Sequence, residues 1–260
     1  MKGLICGVTL SCLLVTTVAG AQAEEGEGAA GTLAKQKLNP LAHETNLPAT
    51  LSFSFGPHHD TQPTLSFQPR IPLRLTDDWR LVTRSNVSII HMPEETTGLG
   101  DIDISLFLTP ARTGPWVFGA GPILQFPTAT DTALGTGKWS AGPTAALVYV
   151  GGPWVNGILV SHLWSFAGPD SRAAVSLTQI EVQVSYSFPD GWYIDTNPTI
   201  AHDWNAARGE RWVIPVGVDA GRAFKIGSQP MSLQVGAYYN VKKPVGSASW
   251  VLQTQVSLLY

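Results

Sequence analysis

Cysteine is nearly missing from this chain: of 260 residues only Cys6 and Cys12 carry a thiol. Beyond them there is no disulfide framework and no cysteine metal site to build on. Charge is scarce as well. Asp, Glu, Lys and Arg make up 13% of the chain, about half of the roughly 25% found in ordinary soluble proteins. Without Lys2 the balance is 15 basic against 19 acidic residues, a formal −4, so composition offers nothing to a nucleic-acid partner. A spanning helix is missing too. Trp139 to Pro169 is a stretch of 31 uncharged residues, but Gly142-Pro143, Gly151-Gly152-Pro153 and Gly157 interrupt it. Those residues break a helix and punctuate a pair of strands.

What is present begins with a leader. Lys2, an apolar stretch from Leu4 to Val18 and Ala21-Gln22-Ala23 before Glu24 have the layout of a secretory signal peptide with a small-x-small cleavage site. The apolar run is too short for a membrane anchor. Cleavage of residues 1–23 removes both cysteines and leaves 237 residues, enough for one domain. Residues 24–47 open on a Glu/Gly/Ala-rich stretch and continue through Asn39-Pro40-Leu41-Ala42. This flexible N-terminal segment is expected to be a loose periplasmic tail, because chain ends stay mobile unless tied down. The alternative is that it packs inside whatever residues 48–260 build.

Those residues carry a repeat. Trp79, Trp116, Trp154 and Trp192 follow one another at gaps of 37, 38 and 38 residues, each just after a turn cluster: Thr76-Asp77-Asp78, Arg112-Thr113-Gly114-Pro115, Gly151-Gly152-Pro153 and Pro189-Asp190-Gly191. A period of this length marks a repeated supersecondary unit, here a hairpin of two long strands. Trp139, Trp164, Trp204, Trp212 and Trp250 all lie where strands meet the longer polar connections. The tryptophans therefore form two belts, and indoles are enriched at the two membrane–water boundaries. Belts about ten residues apart on tilted strands match the apolar thickness of a bilayer.

Counting outward from the turns predicts twelve strands, roughly 49–56, 64–75, 79–91, 100–109, 116–127, 138–150, 154–166, 175–188, 192–204, 211–223, 231–242 and 250–260. The expected fold is all-β: an antiparallel transmembrane β-barrel with both ends periplasmic, short periplasmic turns and longer extracellular loops. Alternation is clearest near residue 180, where Ile180, Val182, Val184, Tyr186 and Phe188 oppose Gln179, Glu181, Gln183, Ser185 and Ser187. It is as clear in the last strand, where Trp250, Leu252, Val256, Leu258 and Tyr260 oppose Gln253, Gln255 and Ser257. The apolar face is read as facing lipid. Strands 116–127 and 138–166 are apolar or small on both faces, which asks for something packed inside the barrel; residues 24–47 are the candidate.

The inward phase carries the candidate lumen-lining residues: Arg70, Arg74, Arg80 and Arg84 on the second and third strands, Asp101 and Asp103 on the fourth, and Glu181, Gln183, Asp195 and Asp219 on strands eight to ten. Two readings stand side by side, ion pairs that brace the wall and a transverse field across a watered lumen. An Arg80 or Arg84 pair with Asp103 is expected under the first. No metal or cofactor site is expected. His58-His59-Asp60 has metal-ligand types, but neighbouring side chains in an extended segment point apart. Gly135-Thr136-Gly137-Lys138 lacks the first glycine of a phosphate loop and has Trp139 where a hydroxyl should follow. No catalytic residues are assigned. His91, His162 and His202 fall at outer strand ends in the tryptophan phase and are read as ordering the girdle, with Ser85 a remaining cross-strand partner for one of them.

Several strings look familiar together: Gly98-Leu99-Gly100-Asp101-Ile102, Pro127-Thr128-Ala129-Thr130-Asp131, Leu134-Gly135-Thr136-Gly137-Lys138-Trp139, Gly152-Pro153-Trp154, Trp164-Ser165-Phe166-Ala167-Gly168 and Trp212-Val213-Ile214-Pro215-Val216. They resemble a family of bacterial outer-membrane β-barrels labelled as transporters, grouped with proteins of the meta-pathway of phenol degradation and in places misnamed neuromedin U. The resemblance runs from about Asn39 to Tyr260; Tyr260 stands where such barrels more often end in Phe. It implies an outer-membrane channel or facilitator for passive passage of a small solute. Its expected partners are outer-membrane lipids, the barrel-assembly machinery acting on the terminal strand, and the solute. The alternatives are a lipid-modifying barrel enzyme and a plugged structural or adhesive barrel. Twelve strands give a backbone diameter of roughly 24 Å and, once inward side chains are placed, a gap on the order of 10 Å unless the barrel is plugged.

Overall fold

Period-two alternation becomes one continuous wall. In the computed structural model, which describes residues 27–57, 59–93, 96–111 and 114–260, the strands pair antiparallel in chain order. They are β1 (Asn46–Gly56), β2 (His59–Phe67), β3 (Arg70–Arg74), β4 (Trp79–His91), β5 (Thr97–Leu99), β6 (Ile102–Pro110), β7 (Trp116–Phe126) and β8 (Trp139–Gly151). There follow β9 (Trp154–Ala167), β10 (Ser176–Ser187), β11 (Trp192–Thr196), β12 (Thr199–Asp203), β13 (Trp212–Ile226), β14 (Gln229–Lys242) and β15 (Trp250–Leu259). β15 closes on β1, from Asn46 opposite Leu259 to Phe55 opposite Trp250. With β2–β3, β5–β6 and β11–β12 each taken as one interrupted strand, the wall is a closed barrel of 12 strands. The expected leader, His58 and the Arg112-Thr113 part of one turn lie outside the described residues.

The barrel is inside-out relative to a soluble protein. All nine tryptophans are exposed, as are Leu51, Phe53, Leu73, Phe118, Val184, Val218, Val235 and Leu252. Buried within are Ser140, Thr144, Ser161, Ser185, Ser232, Ser257 and Gln234. Each exposed aliphatic side chain would be disfavoured in water by about 1.5–3 kcal/mol relative to an apolar surrounding, so this outer face belongs against lipid. Trp79, Trp116, Trp154 and Trp192 are the first residues of β4, β7, β9 and β11, at the end where connections are short. Trp139, Trp212 and Trp250 open β8, β13 and β15 at the other end, Trp164 is near the end of β9 and Trp204 follows β12. Ring contacts tie each belt together: Trp116 with Tyr149, Trp154 with Tyr186, Trp250 with Tyr239, and His202 between Trp204 and Trp212.

The wall departs from the expected one in two respects. The second and ninth wall strands break at Gln68-Pro69 and Asn197-Pro198, because proline has no N–H for the ladder. The freed carbonyls of Pro69 and Pro198 still accept from Ser85 and Val182. The first outer connection is also not long: β1 ends at Gly56 and β2 begins at His59, with Gly56 opposite His59. The polar string His59-Asp60-Thr61-Gln62 reads as loop in sequence, but it extends the ladder, with Gln62 opposite Ser54.

The largest difference concerns residues 24–47, expected to be a loose tail. Residues Glu27–Leu38 form helix α1, and the segment up to β1 is packed into the barrel at the short-turn end. Ala34, Leu38 and Leu41 are fully or almost fully buried against Val82, Phe107, Ala146, Val148, Val155, Leu159, Tyr193 and Ala223. The inward apolar positions of β8 and β9, with Val117 and Gly119 of β7, explain why those strands read as apolar or small on both faces. Gly119 makes the room: a Cβ there would stand 3.4 Å from both Leu41 methyls and 3.1 Å from Phe107. Helix α1 stops where Pro40 follows Asn39, whose Oδ1 accepts from the Leu41 N–H at 2.9 Å. The helix has no apolar stripe of its own, so its packing supplies the stability that propensity does not.

Candidate functional site in the barrel lumen

A helix end leaves unpaired carbonyls, and here the wall caps them. The Lys37 carbonyl accepts from Asn46 Nδ2 at 3.3 Å and Arg70 Nη1 at 3.4 Å. Gln183 Nε2 donates to the Leu38 carbonyl at 2.8 Å and Arg80 Nη2 to the Leu41 carbonyl at 2.9 Å. At the rim, Lys35 Nζ reaches the Gly152 carbonyl in the β8–β9 turn at 3.1 Å. The plug is thus tied to β1, β3, β4 and β10 by polar groups and seated on an apolar floor.

Beyond the floor lies a polar cavity of about 240 Å³, bounded by Lys37, Leu38 and Pro40 of the plug and by charged or amide side chains of the wall. Arg84 crosses it. Its Nη1 bonds both carboxylate oxygens of Glu181, at 2.8 and 2.9 Å, so β4 and β10 are joined across the lumen. Gln68 and Asn197, each beside a wall-breaking proline, line the same cavity. The ladder places Arg70 opposite Arg84 on one wall and Asp195 opposite Asp219 on another. Asp195 accepts from the Ser185 hydroxyl at 2.5 Å. Asp219 accepts from Gln253 at 2.8 Å and from the Tyr238 hydroxyl.

Lys37 is the plug's contribution to this cavity. Its Nζ donates to Gln234 Oε1 and lies 4.8 Å from the centre of the Tyr193 ring. Burial pushes the ammonium down to about 8, Asp195 draws it back up, Arg70 adds to the lowering and Asp219 to the raising. Gln234 and Tyr193 had no individual signal in the sequence, and the Asp195–Asp219 pairing depends on register across the outer connection between β12 and β13, which no tight turn fixes.

The sequence-predicted lumen residues thus separate. Arg70, Arg84, Glu181, Gln183, Asp195 and Asp219 line the cavity. Arg80 is buried at the plug, bonded to Leu41. Arg74 shares the inward phase but stands at the rim, its side chain 75% exposed and paired with Asp77. The expected pair to Asp103 is not formed: Asp103 accepts from Asn86 at 3.0 Å, and Arg84 goes to Glu181 instead. Glu181 across the lumen gives both its oxygens to Nη1 of Arg84, while Asp103 on the neighbouring strand is held by Asn86.

Asp101 has left the lumen for the outer loops. It accepts from the Ala129 and Thr136 N–H groups, at 3.2 and 2.6 Å, and from the Thr136 hydroxyl at 2.7 Å. Arg172 Nε reaches the Thr136 carbonyl and its Nη2 the Thr132 carbonyl, both at 2.9 Å. Lys138 Nζ donates to the Pro169 carbonyl at 2.7 Å. Three of the family-like strings meet here, and their glycines are required by close approach: a Cβ at Gly135 would come within 2.5 Å of Asp101 and one at Gly98 within 2.0 Å of Thr130. Asp101→Ala should leave these donors unmatched, at about 1–3 kcal/mol for each one shielded from water. We expect proteolysis within residues 127–138 of reconstituted barrels to accelerate while the folded barrel persists, with Asp101→Asn intermediate; equal cleavage in all three proteins would dismiss this anchoring role.

The histidines stay in the girdle. His162 Nδ1 is 2.7 Å from Thr178 Oγ1 and its ring packs on Trp164; His91 Nδ1 is 2.6 Å from Thr97 Oγ1. Ser85 lies opposite Ile104 on the outward phase. Among the described residues there is no group of three or more His, Cys, Asp or Glu placed to hold a metal ion.

No family model matches the chain, and no curated relative matches it either. Solved structures do. An outer membrane channel from Pseudomonas putida F1 is 16% identical, with a TM-score of 0.61 over 84% of this chain and 95% of that one. The NanC porin is 11% identical, with a TM-score of 0.54 over 82% of this chain and 98% of that one. At these identities the likeness is one of fold, an outer-membrane β-barrel.

Proposed function

We propose that this outer-membrane barrel is a channel for passive passage of a small solute, regulated by its own N-terminal plug. The observation that carries the reading is the lumen itself. The Arg84–Glu181 pair braces the wall, but the further charged and amide groups around it are what a solute path needs to replace lost hydration. The solved channel and porin of like fold support it, as does the resemblance of the loop strings to barrels labelled as transporters. The chain offers no nucleotide loop, so passage follows the solute gradient.

Liposome swelling tests this directly. Purified barrel reconstituted in vesicles should admit solutes when the plug leaves its seat, up to the gap on the order of 10 Å that 12 unplugged strands leave, and admit them faster when the plug is weakened by Leu41→Ala. Failure of both proteins to pass any solute, in vesicles where the barrel is folded, would establish a sealed structural barrel.

A further inference from the structure

The acidic wall raises a question that the channel reading leaves open. Asp195 and Asp219 are directly opposite each other on adjacent strands, and both are buried. Like charges in that arrangement repel, with Cβ atoms about 4.5–5.5 Å apart. Their hydrogen bonds come from Ser185, Gln253 and Tyr238, all neutral. Among the described residues the ion pairs are Arg74–Asp77 and Arg84–Glu181, so neither carboxylate has a cation in direct contact. The positive charge nearest in function is Lys37, held at Gln234 over the Tyr193 ring.

The pocket is shaped for these groups. Gln234 Oε1 also accepts from the Tyr193 hydroxyl at 3.2 Å, which aims the amide oxygen and fixes the ring. Tyr193 lies across Gly221, where a Cβ would be 2.4 Å from the ring, and the Asp219 carboxylate lies over Gly236, where a Cβ would be 1.8 Å away. An aromatic face, an amide oxygen and two carboxylates make a set that recognises an ammonium group. We propose that Asp195, Asp219, Gln234 and Tyr193 form a subsite for the ammonium group of a small organic cation, and that Lys37 of the plug occupies it as a built-in competitor.

Charge balance argues the same way. In the cavity Lys37, Arg70 and Arg84 stand against Glu181, Asp195 and Asp219, three against three. When the plug leaves, the lumen is one positive charge short, and a cationic solute restores the balance. Exchange of one ammonium for another is therefore the transition that leaves the fewest unpaired charges. The subsite rests on the channel reading and names the chemistry of its solute.

The test places a thiol where the ammonium sits. Lys37→Cys, with Cys6 and Cys12 replaced by Ala if the leader is retained, is treated with the trimethylammonium-ethyl or the sulfonatoethyl methanethiosulfonate. Labelling of the folded barrel is followed by mass spectrometry, and each rate is divided by that of a free small thiol. The normalised ratio should favour the cationic reagent by about tenfold or more and fall toward one when Asp195→Asn and Asp219→Asn are added; ethylammonium chloride should slow the cationic reaction at constant ionic strength. A ratio near one, a preference that survives loss of both carboxylates, or a residue 37 that neither reagent reaches would each overturn the subsite. Swelling of vesicles by neutral solutes is independent of these outcomes, so failure here and failure of the channel reading are told apart.

Discussion

Replacing Leu41 by alanine should raise the fraction of time the barrel conducts by more than about tenfold, since a Leu→Ala change in a packed site costs about 2–5 kcal/mol and each 1.4 kcal/mol is a factor of ten. Leu41 is fully buried on the floor beside Phe107 and Gly119. Its loss removes packing from the seated plug and nothing from the closed wall, so the energy appears in the seating equilibrium. The bonds from Arg80 and Gln183 go to backbone carbonyls and remain. Leu41→Met, which conserves volume, should behave as the parent. Single-channel recording in planar bilayers reads the open fraction, and the mobility shift between unheated and heated samples checks the barrel. Identical open fractions in parent and Leu41→Ala would mean that the floor does not set conduction.

The second large effect concerns selectivity. Replacing Arg70 and Arg84 together by Gln leaves Lys37 alone against Glu181, Asp195 and Asp219 in the cavity. At an effective dielectric constant of 20, one unit charge about 8 Å from a passing ion contributes about 2 kcal/mol before screening. Removing two positive charges should therefore move the cation-to-anion permeability ratio upward by about tenfold or more. Glutamine keeps donors for Glu181 and for the Lys37 carbonyl, so the wall should stay folded. Reversal potentials across a salt gradient report the ratio, and no shift in a conducting double variant would show that these arginines only brace the wall.

Much of this was legible because the governing pattern is local. Turn residues, the belt tryptophans and alternation each report on a few neighbouring positions, and they locate β4, β7 and β9 almost residue for residue. Breaks at Pro69 and Pro198 were available from proline chemistry, but the apolar phase continues through both, which hides them. The plug was visible only through its socket: Ala146, Val148, Val155 and Leu159 face inward and are apolar. The plug's own residues, Glu27–Leu38, carry no period that marks a helix, because a helix surrounded on all sides by a wall needs no single apolar face. The partners of Arg84 and Asp101 depend on distances across the lumen and between loops, which alternation cannot supply. Phase told which side of the wall a residue occupies and left its height and partner open, as Arg74 at the rim illustrates.

The floor on which the plug rests is assembled from β4, β6, β8, β9, β11 and β13, residues from Val82 to Ala223. No part of the chain short of the whole ring presents that surface, and β15 must join β1 before the ring exists. The complete seat for α1 therefore exists only in the closed ring. A wall left open would offer the plug no home, so occupancy of the lumen by α1 reports that closure has succeeded.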